Sequence, residues 1–187
     1  MDLLDLNRAA IDANTALFGA LTPGDLDRVT PCAGWTVRDL LRHQVDMTLK
    51  FDAGARAGEV RPRPDEDLVA AYAVASEQVT ESFRAAGFLD RQAEFPGFGT
   101  RPGSSLVAAH FVDNLVHSWD LRRALGVDST LDGELAHAAY RMALRYPDTP
   151  DVRGPGGAFA AAVDVPADAP VTDRLVALLG RTPDWQP

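Results

Sequence analysis

Residues 110–121 read HFVDNLVHSWDL. On a 100° helical wheel His110, Asp113 and His117 fall within one arc of about 60°. Leu106, Leu121 and Ala124 share or border that arc, and Ala108, Ala109, Val112, Leu115, Val116 and Trp119 fill the other side. A helix that is apolar nearly all round belongs in a core. A buried ionised carboxylate is costly unless it is paired or bound to metal. Asp113 and His117 stand one turn apart, close enough to grip one ion, as paired ligands do in helix bundles. The stretch therefore predicts a central helix of an all-α protein that carries part of a metal site.

The flanking sequence supplies the other helices. Leu3, Leu6, Ala10, Ala13, Leu17 and Leu21 recur at helical spacing over 2–21, closed by Thr22-Pro23-Gly24. A second helix opens in TPCAGWTVRDLLRH, with Thr36 as N-cap, Asp39 at the third helical position and Trp35 stapled onto Leu40, and runs to about Ala57. GEVRPRPDED is a loop. A third helix covers about 66–86, ending at Gly87. EFPGFGTRPGSS is a Gly/Pro-rich loop with room for a short extended piece. The central helix runs from about Ser104 to Leu125 and ends at Gly126, and a fifth covers about 132–145. Residues 150–170 are irregular apart from a candidate strand in AAAVDV, and a last helix spans about 172–179. Four long helices with long connections predict an antiparallel four-helix bundle, with an additional helix and an irregular C-terminal tail packed outside it. One domain spans 1–187, with its bundle core at about 2–147 and its tail at 148–187. Alternating strands for an α/β fold are not present.

Composition narrows the partners. The 187-residue chain has a net charge of -9 and a pI of 4.8. Such a surface repels nucleic acid and anionic membranes. One cysteine, Cys32, rules out an internal disulfide and a cysteine-based zinc ribbon. The acidic N-terminus carries no apolar run of signal-peptide length, and no segment approaches about 18 consecutive apolar residues. A reducing cytoplasm is the expected location.

One helix seldom supplies a complete metal site, so a third ligand is expected from a neighbour. His43 lies beside the apolar arc of Val37, Leu40, Leu41, Gln44, Thr48 and Phe51, at the edge of the core. His43, Asp113 and His117 give two imidazoles and one carboxylate, a set that leaves coordination positions open for water or substrate. Other readings stay beside it. Asp113 could pair with an arginine such as Arg84. His110 could be a fourth ligand, a general base or a support for the ligands, and is placed here as the residue that shuttles a proton. Asp120 could orient an imidazole or pair with Arg123 or Arg42. Cys32 could be an activated thiol or soft ligand, but a small buried hydrophobe is the favoured reading. His137 is placed at the surface and Trp119 in the core.

Two stretches, TPCAGWTVRDLLRHQVD and DNLVHSWDLRRALG, resemble the DinB-like bundle proteins of actinobacteria, in the branch named for the N-terminal domain of mycothiol-dependent maleylpyruvate isomerase. The tail DAPVTDRLVALLGRTPDW is similar to that of a group of small proteins within the branch. The resemblance implies a divalent metal, zinc first and nickel or iron as alternatives, held at His43, Asp113 and His117. It further implies mycothiol or another low-molecular-weight thiol as cofactor or substrate, a small electrophile as its partner, and a monomer or homodimer. The isomerase itself carries a Glu where Asp113 stands and a further C-terminal domain, so maleylpyruvate is not the expected substrate. The resulting expectation is a metal- and thiol-dependent transferase or isomerase. A metal-binding or stress-responsive protein without turnover, and a purely structural bundle, are the alternatives.

Overall fold

The computed structural model describes residues 1–187. The chain is mostly helical, as the periodicity predicts: α1 (Leu3–Gly19), α2 (Val37–Arg56), α3 (Leu68–Phe83), α4 (Gly103–Leu125), α5 (Gly133–Ala143) and α6 (Val171–Leu178). Caps fix several of the starts. Asp2, Thr36, Asp67 and Asp132 each accept from backbone N–H groups of the following turn, and Thr36 forms a full capping box with Asp39. No helix is long and apolar enough to cross a membrane.

Helices α1 to α4 pack around a shared interior, but they are not uniformly antiparallel. Asp52 meets Ser82, and Leu41 and Val45 share a cluster with Ala71 and Ala75, so α2 and α3 run parallel. Asn7 bonds His110 and Asn14 bonds Asn114, so α1 and α4 also run parallel. Antiparallel contact lies between these pairs, as where Thr48 meets His110 and His43 meets Asp113. The cause is the proline-rich connection after α2. It doubles back along that helix, with Arg61 and Arg63 reaching Asp52 and Asp46.

Helix α4 contributes to all three apolar clusters of the interior. The tail does not lie outside the core. Leu175, Val176 and Leu179 join Leu6, Phe111, Leu115 and Trp119 in one cluster. The AAAVDV segment forms no strand; its backbone tie to α6 is the bond from Val163 N–H to Ala177 O at 2.9 Å. The extended piece expected in the Gly/Pro-rich loop is a hairpin, β1 (Gln92–Phe95) with β2 (Gly99–Pro102). It seats on α2 at Gly54, where an added Cβ would stand 2.1 Å from Glu94 O. Backbone approaches that close only because a side chain is missing.

Candidate metal centre

The capping box that starts α2 projects His43 two turns along, toward α4. From α4, Asp113 and His117 face the same point, one turn apart. Asp113 Oδ1 lies 3.6 Å from His43 Nε2 and 3.6 Å from His117 Nε2. The structure thus brings together all three residues proposed as ligands, with one donor atom of each within 4.8 Å of the others. Side-chain exposure grades outward, from 6% at His117 through 18% at Asp113 to 28% at His43. The cluster is rooted in the interior and reachable from solvent on the His43 side.

The two candidate donors from α4 are each held by a partner on the far atom. Gln44 donates from Nε2 to Asp113 Oδ2 at 2.7 Å, which leaves Oδ1 for the centre. Asp120 Oδ2 lies 2.8 Å from His117 Nδ1. The buried carboxylate calls for the proton on Nδ1, so Nε2 presents its lone pair to Asp113 and His43. This carboxylate–imidazole pairing is characteristic of metal-bound histidines. Asp120 pairs with Arg181, at 3.2 Å from Nε and 2.8 Å from Nη2, rather than with Arg123 or Arg42. Burial alone would raise the Asp120 carboxyl, but the Arg181 charge and the His117 hydrogen bond outweigh it and hold it well below the usual carboxylate range. Burial likewise opposes ionisation of Asp113, and the neighbouring His117 and His43 overcome it, so this carboxyl too is held low. Arg84, the alternative partner for Asp113, is exposed at the end of α3.

The loop before α2 walls the site. Gly34, at φ 78°, closes a tight turn in which Trp35 N–H reaches Cys32 O at 2.9 Å. An L side chain seldom adopts that backbone, and the turn brings Trp35 and Cys32 over α4. The Trp35 ring centroid lies 4.8 Å from that of His43 and 6.1 Å from that of His117. Cys32, His117 and Asp120 also converge. The Arg181 guanidinium already supplies the cation of that second group, with Nη2 3.3 Å from Cys32 Sγ. Burial, with the Asp120 charge adding to it, pushes the Cys32 thiol up to about 12. Cys32 is therefore a neutral thiol at physiological pH, not an activated one.

His110 is not among the converging groups. It is fully buried, with Nδ1 2.8 Å from Asn7 Oδ1 and Nε2 3.2 Å from Thr48 Oγ1. Asn114, Asn14 and Tyr72 extend this layer across the interior, and Asn14 reaches Gln44 Oε1 at 3.4 Å. Burial pushes the His110 imidazole down from 6.5 to about 4. His137 is exposed and Trp119 is core, as expected.

The donor set fits a small divalent ion. Donors around a tetrahedral zinc stand about 3.3 Å apart when each is about 2.0–2.1 Å from the metal. The observed 3.6 Å separations are only slightly wider. Imidazole and carboxylate donors suit zinc, nickel and iron alike. Three elements of the site were not legible as such in the sequence. Gln44 gave a signal, a polar residue on an apolar arc. Trp35 has the signature of a packing residue, stapled onto Leu40. Arg181 gave none, since it lies 61 residues beyond Asp120 in a polar tail.

An uncharacterized protein of Mycobacterium tuberculosis, found in two strains (CDC 1551 / Oshkosh and ATCC 25618 / H37Rv), is 35% identical over 182 residues, covering 97% of this chain and 99% of the relative. No solved structure matches the chain. A family model described as the mycothiol maleylpyruvate isomerase N-terminal domain matches residues 7–122, a span that contains His43, Asp113 and His117. The chain belongs to the mycothiol maleylpyruvate isomerase N-terminal domain family.

Proposed function

We propose that the protein binds one divalent ion, zinc in the first instance, through His43, Asp113 and His117, and uses it in a thiol-dependent transfer or isomerisation of a small electrophile. The observation that carries the reading is the convergence of three donors on one point reachable from solvent, two of them held on their far atoms by Gln44 and Asp120. When bound, the ion supplies a Lewis acid that lowers the pKa of an incoming thiol or water. The protein residues supply orientation. Gln44 keeps Asp113 turned toward the centre, Asp120 keeps the His117 lone pair aimed at it, and Trp35 shields it from bulk water. His110, expected to shuttle protons, acts in this reading as a positioning residue through Thr48 and the buried amide layer. Mycothiol is the thiol class that the family description suggests.

The test is elemental analysis of purified protein with a thiol-consumption assay. About one equivalent of zinc, lost in His43→Ala, supports the site; a metal-free protein of unchanged stability refutes it. Metal-dependent consumption of a thiol with a generic electrophile supports turnover, and its absence across thiol classes favours a metal-binding protein without catalysis.

A further inference from the structure

We infer that Arg181, in the C-terminal tail, is a positioning residue for the metal centre: its guanidinium fixes the Asp120 carboxylate that orients His117. The inference rests on the metal-binding reading above and adds to it a residue outside the 7–122 span that the family model covers.

The contacts form a relay of directed bonds. Arg181 Nε lies 3.2 Å from Asp120 Oδ1 and Nη2 lies 2.8 Å from Oδ2, a two-pronged grip on one carboxylate. Such forks fix the plane of the acceptor as well as its charge. Oδ2 is also the atom 2.8 Å from His117 Nδ1. The carboxylate therefore cannot rotate about its χ2 without breaking three bonds together. The guanidinium is itself held. Nη1 donates to Leu179 O at 2.8 Å, and Nη2 lies 3.3 Å from Cys32 Sγ. Asp120 has no exposed side-chain surface and Arg181 only 10%, so water does not substitute for either partner.

The consequence is specific to His117. With Asp120 held, the imidazole keeps its proton on Nδ1 and its Nε2 lone pair 3.6 Å from Asp113 Oδ1. Without Arg181, Asp120 is a buried carboxylate lacking its cation, and it turns to find other donors. His117 then loses the fixed acceptor that sets its tautomer. Cys32 fits the same relay as a neutral filler: its thiol donates to Asp120 Oδ2 at 3.3 Å and closes the pocket around the guanidinium. The tail thereby completes a ligand on a helix more than sixty residues earlier in the chain.

Arg181→Met removes the fork while keeping length, and Arg181→Lys keeps the charge without the fork. Arg123→Met is the control: Arg123 also ties the tail down, through Trp185 O, but does not touch Asp120. Two readouts are taken on the full chain. The first is zinc affinity by chelator competition, with the cobalt(II) absorption spectrum as a report on geometry. The second is the His117 tautomer in metal-free protein, from its ring 15N shifts. Arg181→Met is expected to weaken zinc binding about 10–100-fold and to alter the cobalt spectrum. It should also give a mixture of His117 tautomers. Arg181→Lys should fall between Met and wild type, and Arg123→Met should match wild type in both readouts. Wild-type affinity, spectrum and tautomer in Arg181→Met would overturn the inference and leave the metal site standing. Equal losses in Arg123→Met would also overturn it, by assigning the effect to tail detachment. If Arg181→Met does not fold, Arg181→Lys decides, and wild-type behaviour there overturns the role of the fork. A wild-type protein that binds neither metal sinks the metal-binding reading instead; the tautomer comparison then still reports whether Arg181 sets His117.

Discussion

At the scale of single residues, two aspartates on one helix, Asp120 buried and Asp113 partly exposed, face different consequences when neutralised. Asp120 offsets a cation that is part of the fold, since Arg181 is nearly buried against it. Asp120→Asn strands that guanidinium and should cost about 3–5 kcal/mol of stability in the metal-free protein. Chemical denaturation of the two proteins checks this, and a midpoint matching wild type would show that the pair contributes nothing. Asp113 has no arginine partner; its neighbours are Gln44 and two imidazoles. Neutralising it strands no buried cation, and its charge remains available to offset a divalent ion. The sequence carried the first half of this distinction. Both aspartates lie on an apolar helix, and the spacing of Asp113 and His117 marks them as a pair. It could not carry the second half, because the partner of Asp120 is set by how the tail packs and not by any local pattern.

At the scale of elements, α4 was legible nearly to the residue, with predicted limits of 104–125 against Gly103–Leu125. Its apolar circumference and terminal Gly126 both signal a buried helix with a defined stop. Directions were less legible. The connection after α2 was long enough for either direction, and the return of Arg61 and Arg63 along α2, which makes α2 and α3 parallel, is a tertiary choice. The candidate strand in AAAVDV shows the same limit, because short apolar runs do not specify a partner. The hairpin was visible only as permission for extended structure, while its seat on α2 depends on Gly54. Gly54→Ala should push Glu94 and the hairpin off the helix and cost about 1–3 kcal/mol. Thermal unfolding tests it; a variant as stable as wild type would mean that the hairpin yields freely.

At the scale of the whole molecule, a polar layer crosses an apolar interior, and its buried histidine sets an acid limit on stability. The unfolded chain protonates His110 near pH 6.5, and the folded protein only near pH 4. The unfolded state therefore binds more protons between these values. The His110 contribution is full above about pH 6.5, falls by about 1.4 kcal/mol per unit as pH drops, and is exhausted below about pH 4 after a loss of about 3 kcal/mol. The low-lying Asp113 and Asp120 carboxyls act in the same direction, but only once pH falls below their ordinary value of 3.8. Denaturant midpoints of metal-free wild type and His110→Gln between pH 7 and pH 4.5 isolate the effect. The variant should show the shallower slope, and equal slopes would remove His110 as the cause. The central claim is that His43, Asp113 and His117 hold a divalent ion, and Asp113→Asn tests it most directly through a paired measurement of zinc content and metal-free denaturation midpoint. The account predicts about one zinc per wild-type chain, little or none in the variant, and a metal-free midpoint that falls less than in Asp120→Asn, because no buried arginine is stranded. Zinc retained by the variant, or a metal-free midpoint that drops by about 3 kcal/mol or more as it would for a broken buried ion pair, would contradict it.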